Sequence, residues 1–330
     1  MNQPQMQQPM QPPMQNPMMG GLMGKPIQNF FDGGGVDDSD FGGFSDYGSV
    51  DASSDNNDNN DFSFSDDTVG DTSAGDFTVG DDNSSFNEED FQDALDNKKV
   101  KAIWAARGGY GSVRILDMLD FTVFNKHPKW VIGYSDITAF HNHIHNLGFE
   151  TLHAMMPTSL EEKPEEIIET IASFKKALFG ENLNYEIPSS TYNRSLSSKE
   201  IKGELIGGNL AILTSMLGSK SQLKTENKIL FIEEIGEYKY SIDRMLQSLK
   251  RAGYFTKVNA VIVGDMSLIK KNTTNWGSSI EQLILDVIPE DIPVLFDFPA
   301  GHEAENRAMI FGRVIKLAVG SEQYSVIFEN

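Results

Sequence analysis

The spacing of apolar and polar residues divides the 330-residue chain into two unlike parts. From Met1 to Ser85 neither a period of 2 nor one of 3.6 fits the apolar positions, and single phenylalanines stand isolated in polar sequence. Such a tract cannot bury enough surface to offset chain entropy, so residues 1–85 read as disordered and low in complexity. From Phe86 onward, short apolar runs alternate with helical spacing.

"NEEDFQDALDN" has acidic residues in a first turn and then Phe91, Ala94 and Leu95 at helical spacing. "VKAIWAARGGYG" reads as a buried strand ending in a glycine turn. A helix follows from Ser112, with Val113, Leu116 and Leu119 on one side, and "KWVIGYS" supplies a second strand after Pro128. Strand and helix in alternation predict a parallel α/β sheet. From Glu165 to Phe179, Ile167, Ile168, Ile171 and Phe174 among charges predict an amphipathic surface helix.

"NLNYEIPSSTYNRSLSSKE" is polar and rich in Asn and Ser, and is the linker of this reading. Beyond it, "ELIGGNLAILTSMLG", "KILFIEE", "SIDRMLQSLKRAGYF", "VNAVIVGDM" and "IPVLFDF" alternate helix with strand. "RAMIFGRVIKLAVG" and "YSVIFEN" look like closing strands. The expected organisation is an acidic tract over 1–85, an N-terminal α/β domain over 86–185 and a linker over 186–200. A smaller mixed α/β, β-rich domain then fills 201–330.

Charge sharpens this division. Residues 1–87 hold 15 Asp, no Glu and one Lys, so −14 of the total −21 lies there. No basic patch with interleaved aromatics occurs, and nucleic acid is therefore not an expected partner. The absence of Cys excludes disulfides and thiolate zinc sites. No run of about 18 apolar residues is present, and none of the early apolar runs has the form of a secretory signal. The expectation is a cytoplasmic protein without a membrane span.

Strong local motifs are few: HExxH, a Walker A loop and an EF-hand pattern are all missing. "RGGYGSVR" leads from strand to helix, and Gly108, Gly109 and Gly111 there form either a tight turn or a cradle of backbone N–H groups for an anion. His141 and His145 are i,i+4 neighbours flanking His143, but with no third ligand nearby they read as helix-surface histidines rather than a metal site.

Ser135, in "VIGYSDITAFH", stands between a strand and a helix, where a serine is either an N-cap or a nucleophile. A nucleophile needs a base, and the base an orienting acid. "KILFIEEIGE" brings Glu233 and Glu234 to a strand end, on opposite faces, so only one can serve. "FPAGHEAENRA" puts His302 in a loop after Pro and Gly. Taken singly, they also fit a surface acid and an ordinary loop histidine.

Together these segments resemble the LD-carboxypeptidase family of serine peptidases. The resemblance runs from about Phe91 to near the carboxyl end, through "VKAIWAARGGYGSVRIL", "PKWVIGYSDITAFH", "KGELIGGNLAILTSMLGS", "ILFIEEIGEYKYSIDRMLQSLKRAGYF" and "DFPAGHEAENRAMIFG". It implies Ser135 as nucleophile, Glu233 as orienting acid and His302 as base. The family usually has Glu-Asp where this chain has Glu233-Glu234. It also implies a flavodoxin-like N-terminal domain, a site at the domain interface, homodimers, and no metal or organic cofactor.

The backbone N–H groups of Asp136 and Gly109 suit the oxyanion. Arg107 or Arg307 has the charge to meet a substrate carboxylate, without a choice between them. The implied reaction releases D-alanine from a murein tetrapeptide during peptidoglycan recycling, with cleavage of peptidyl-nucleotide antibiotics, as by microcin C self-immunity proteins, a close variant. Family members normally open with a strand, a helix and a second strand for which Met1 to Ser85 has no counterpart. Without them a parallel sheet has an open edge. A second reading is therefore a catalytically dead or truncated relative whose acidic tract serves interaction or solubility.

Overall fold

The computed structural model describes residues 88–194, 200–271 and 277–329. The acidic tract, and with it the expectation of disorder over 1–85, lies outside the described residues. In chain order the first elements are α1 (Glu88–Asp96), β1 (Ala102–Trp104), α2 (Ser112–Leu116), α3 (Thr122–Lys126), β2 (Trp130–Gly133), α4 (Thr138–Asn146) and β3 (Thr151–His153). There follow α5 (Ile168–Leu178), β4 (Asn184–Pro188), β5 (Ile201–Asn209), α6 (Leu210–Ser215), β6 (Ile229–Ile235) and α7 (Lys239–Arg251). The chain ends with β7 (Ala260–Ser267), α8 (Ile280–Val287), β8 (Val294–Leu295), β9 (Met309–Phe311), β10 (Val314–Val319) and β11 (Gln323–Phe328).

Two sheets form. The first has order β1-β2-β3-β9, its first three strands parallel and β9 antiparallel to β3. The second has order β4-β11-β10-β5-β6-β7-β8, parallel from β5 to β8 and antiparallel from β5 through β10 and β11 to β4. The fold is thus mixed α/β with a parallel sheet in each half of the described chain. Among the described residues β1 pairs with β2 alone and is an open edge.

One core lies between the sheets, where Trp130, Ile132 and Leu152 of the first meet Phe231, Ile262 and Tyr324 of the second. A second core packs the other face of β6 and β7 against α6, α7 and α8. The α7 contribution is Ile242, Met245, Leu246 and Leu249, a helical stripe that the sequence displays openly. A third core packs β2 against α1, α2 and α4. Among the described residues no helix is long and apolar enough to cross a membrane.

Three local expectations are corrected. Helix α2 buries Ser112, Ile115 and Leu116 while Val113 is exposed, because one turn and a half presents only the 112/115/116 side to α4. Helix α5 buries Thr170, Ser173 and Ala177 and leaves Ile168 exposed. Its inward polar groups are used: Thr170 Oγ1 donates to Ala304 O, and Ser173 Oγ accepts from Ala308 N. Finally, "AMIF" does not close the second sheet. As β9 it joins β3 of the first, and the chain then returns to the second sheet as β10.

Candidate active site

Glu233 lies on β6, the strand between β5 and β7, with its side chain wholly buried. His302 lies in the loop from β8 to β9, tied at one end to the second sheet and at the other to the first. The loop turns at Gly301, φ +144, where a side chain would meet the Asp265 carboxylate. His302 Nδ1 is 2.7 Å from Glu233 Oε2, and the imidazole is 11% exposed. Because a carboxylate only accepts, Nδ1 carries the hydrogen and Nε2 is left free to accept. Burial opposes a charge on the ring, but Glu233, reinforced by Glu234 and Asp265, outweighs it and holds the His302 pKa above its ordinary value.

The neighbouring acid does something else. Glu234 Oε1 accepts from Asn209 Nδ2 at 3.1 Å and from Ile235 N at 2.9 Å, and Oε2 accepts from Ala211 N at 2.8 Å. It therefore holds the start of α6. Burial and the Glu233 charge raise its pKa to about 7 against these hydrogen bonds.

Ser135 does not cap a helix. Tyr134 occupies the cap position of the 3-10 turn Ser135–Ile137 that leads into α4, and Ser135 has φ 61, a left-handed angle that non-glycine residues rarely adopt. Its hydroxyl has no hydrogen-bond partner among the described residues. Tyr134 packs edge-on against His302 with ring centroids 5.1 Å apart, so the serine sits next to the residue touching the imidazole. Ser135 and His302 do not form a hydrogen bond in this structure.

Gly108 lies directly against the serine: a side chain there would stand 2.9 Å from Ser135 Cβ and 3.1 Å from Oγ. The residue that follows the glycine turn meets an internal carboxylate. Asp136 Oδ2 accepts from Ser112 N at 2.8 Å, so the Asp136 carboxylate binds the turn to the elbow. Burial raises the pKa of this carboxyl against the Ser112 hydrogen bond. Gly109, φ +109, is exposed on the same turn.

The histidines of α4 diverge rather than converge. His141 is 1% exposed, with Nε2 2.9 Å from Gly133 O, so it is a core residue and not a surface one. Burial takes its pKa down to about 4. His143 Nδ1 bonds Ser221 Oγ at 2.8 Å, and His145 approaches Glu204 at 4.0 Å. Among the described residues no group of three or more His, Cys, Asp or Glu could hold a metal ion. Arg307 is engaged by Glu305 at 2.6 Å and lies over the Tyr185 ring. Arg107 is exposed, with no ion-pair partner among the described residues.

Asp265 was not singled out from sequence. It ends the apolar run "VNAVIVGD" of β7 and accepts from Glu303 N at 3.2 Å, next to His302. Burial raises its pKa to about 7, with Glu303 and Glu233 adding to the effect. Its place at the carboxyl end of a parallel strand was the signal available. Asn209 was also missed. Its backbone N–H donates to Thr138 Oγ1 at 3.0 Å and its side chain to Glu234, so it connects the helix after Ser135 to the strand of Glu233.

Comparison with known proteins assigns the chain to a family. The model for the LD-carboxypeptidase N-terminal domain matches residues 65–154, and that for the C-terminal domain matches residues 202–317. A Bacillus subtilis protein named "Probable murein peptide carboxypeptidase" is 35% identical over 242 residues, covering 73% of this chain and 75% of the relative. The chain belongs to the LD-carboxypeptidase family. A more distant relative is the Escherichia coli microcin C7 self-immunity protein MccF, 27% identical over 267 residues that cover 72% of this chain and 76% of MccF. The crystal structure of muramoyltetrapeptide carboxypeptidase from Oxalobacter formigenes superposes with a TM-score of 0.65 at 25% identity, over 74% of this chain and 84% of that one. Membership in the LD-carboxypeptidase family supports a peptidase of carboxypeptidase type.

Proposed function

We propose that the chain is a serine-type LD-carboxypeptidase in which Ser135 is the nucleophile, His302 the general base and Glu233 the acid that orients it. The observation that carries this reading is the 2.7 Å bond between His302 Nδ1 and the fully buried Glu233 carboxylate, which leaves Nε2 for the nucleophile's proton. The strained, unengaged Ser135 beside Tyr134 supports it.

In the reaction, Ser135 Oγ attacks the carbonyl carbon of the L,D-peptide bond as its proton passes to His302 Nε2. The tetrahedral oxyanion forms against the N–H groups of Asp136 and Gly109. Collapse breaks the C–N bond, and His302 returns the proton to the departing amine of the terminal D-amino acid. Water, deprotonated by His302, then attacks the acyl-enzyme, and Ser135 recovers its proton. The chain's own groups carry every step. The substrate proposed is a murein tetrapeptide, in line with the name of the Bacillus subtilis relative.

The test is release of D-alanine from an L,D-linked tetrapeptide by the wild type and by Ser135→Ala. The wild type should turn over, and the variant should lose roughly 10⁴-fold or more in kcat, as in other triads lacking their nucleophile. Equal release by both would refute the nucleophile. No release by either, in folded samples, would favour the catalytically dead relative. A peptidyl-nucleotide arm in the same assay addresses the activity suggested by likeness to MccF.

A further inference from the structure

We propose that His141 is a positioning residue for Ser135, its Nε2–H holding the Gly133 carbonyl and with it the elbow that presents the serine. The inference rests on the reading of Ser135 as nucleophile.

The elbow asks for an external constraint. Gly133, at φ +154, has no room for a side chain, since an added Cβ would come within 2.8 Å of Ile137 Cγ1. Two residues on, Ser135 is held at φ 61. A left-handed serine persists only where its surroundings determine it, and the serine hydroxyl itself supplies no bond toward that end. The Gly133 carbonyl receives a 3.3 Å contact from Ala154 N across the sheet and a 2.9 Å bond from His141. The shorter contact comes from α4, the helix into which the elbow runs. His141 thus closes a loop of chain between the last residue of β2 and the first turns of α4, with Ser135 inside it.

The chemistry of the ring agrees with a fixed donor. A carbonyl only accepts, so Nε2 carries the hydrogen. Nδ1 is buried with no partner, which suits a bare lone pair and not a second N–H. The ring is therefore neutral. The groups packed against it give it no counter-charge: His153 of β3 at 6.2 Å and Phe311 of β9 at 5.5 Å between ring centroids, and the backbone of β2. Its burial takes the pKa down to about 4, which keeps the donor unchanged through the neutral range.

The experiment compares His141→Phe, which keeps a ring and removes the donor, with His141→Gln, whose amide can place a donor near the Nε2 position. Tetrapeptide kcat and KM are measured with the rate of Ser135 labelling by a fluorophosphonate, and melting curves establish the folded fraction. His141→Phe should lower kcat about 10- to 100-fold, the scale of a small misplacement of a reacting group, with KM within about twofold. Labelling should slow in parallel, and His141→Gln should recover most of both. Wild-type kcat and labelling in folded His141→Phe would overturn the inference. So would equal impairment of both variants, which would assign the effect to packing. If His141→Phe does not fold, His141→Leu replaces it with the same expected and refuting outcomes. Turnover retained by Ser135→Ala would instead overturn the nucleophile reading, whereas inactive Ser135→Ala beside wild-type-like His141→Phe would remove this inference alone.

Discussion

The parallel part of the second sheet holds β5, β6 and β7, of nine, seven and eight residues, whereas the first sheet is built from strands of three or four. The long strands hold an unusual charge arrangement, two adjacent carboxylates at 0% and 2% exposure, on a backbone whose one irregularity in pairing with β7 lies between Ile232 and Glu234. The short strands hold an unusual backbone arrangement, the left-handed Ser135, with no charged side chain on the serine itself. Each half is strained in the coordinate that its contribution requires. The buried charges are held by partners on rigid elements, His302 on Glu233 and three donors on Glu234, whereas the sharp backbone turn follows a strand that ends early.

The largest expected effect separates the two kinds of strain. Glu233→Gln removes the charge from the second sheet with little change of volume, and kcat should fall by about 10⁴-fold, as when other triads lose their orienting carboxylate to its amide. The pH profile gives an independent sign. The base must be neutral to take the serine proton, so wild-type kcat/KM should climb as pH rises through a His302 pKa above the ordinary histidine value. Burial lowers that pKa and Glu233 is the foremost influence raising it, so the acid limb of Glu233→Gln should move to lower pH. An unmoved limb would show that the pair does not set the base.

Next in size is the seam between the halves. A side chain at Gly208, φ +132, would stand 2.4 Å from Thr138 Oγ1 and 2.6 Å from Thr138 Cγ2. Gly208→Ala must strain its own backbone and push away the helix that follows Ser135. It should cost about 3 kcal/mol in urea denaturation, combining the overpacking and positive-φ penalties. Kinetics on the folded fraction should show a lower kcat as well, because the displaced helix carries the serine. The smallest effect is expected far from strain with a purpose. Leu268 is 71% exposed at φ 49, and Leu268→Asn should stabilise by about 0.5 kcal/mol in the same assay, since asparagine tolerates that angle.

The charge side of the comparison was more legible in sequence than the backbone side. Taken singly, Glu233 and His302 also fit a surface acid and an ordinary loop histidine; their arrival in the order of one family's segments singled them out, and the structure bonds them to each other. The α7 stripe was legible from its helical spacing alone. The left-handed angle at Ser135 was not, since nothing in Tyr-Ser-Asp distinguishes it from a capped helix start. The glycine turn fits either a tight turn or an anion cradle in sequence, and the carboxylate that meets the N–H of Ser112 just after it comes from a side chain 24 residues away. His141 looked like a surface residue because β3 and β9, which bury it, lie later in the chain. A helix whose buried face is largely polar, such as α5 with Thr170 and Ser173 inward, hides its orientation from any hydrophobic period.

The route of β9 carries a consequence for synthesis. The first sheet begins with β1 near residue 102 but is completed on its far side only by Met309–Phe311. A ribosome-bound chain that has already exposed Ser135 still lacks the strand beside β3 and the loop that carries His302. Such a nascent chain cannot hydrolyse anything by the proposed route until His302 and Met309–Phe311 have emerged, whatever its N-terminal part has already folded into. Catalytic competence is thereby tied to synthesis of a strand and a loop that lie more than 150 residues after the serine they serve.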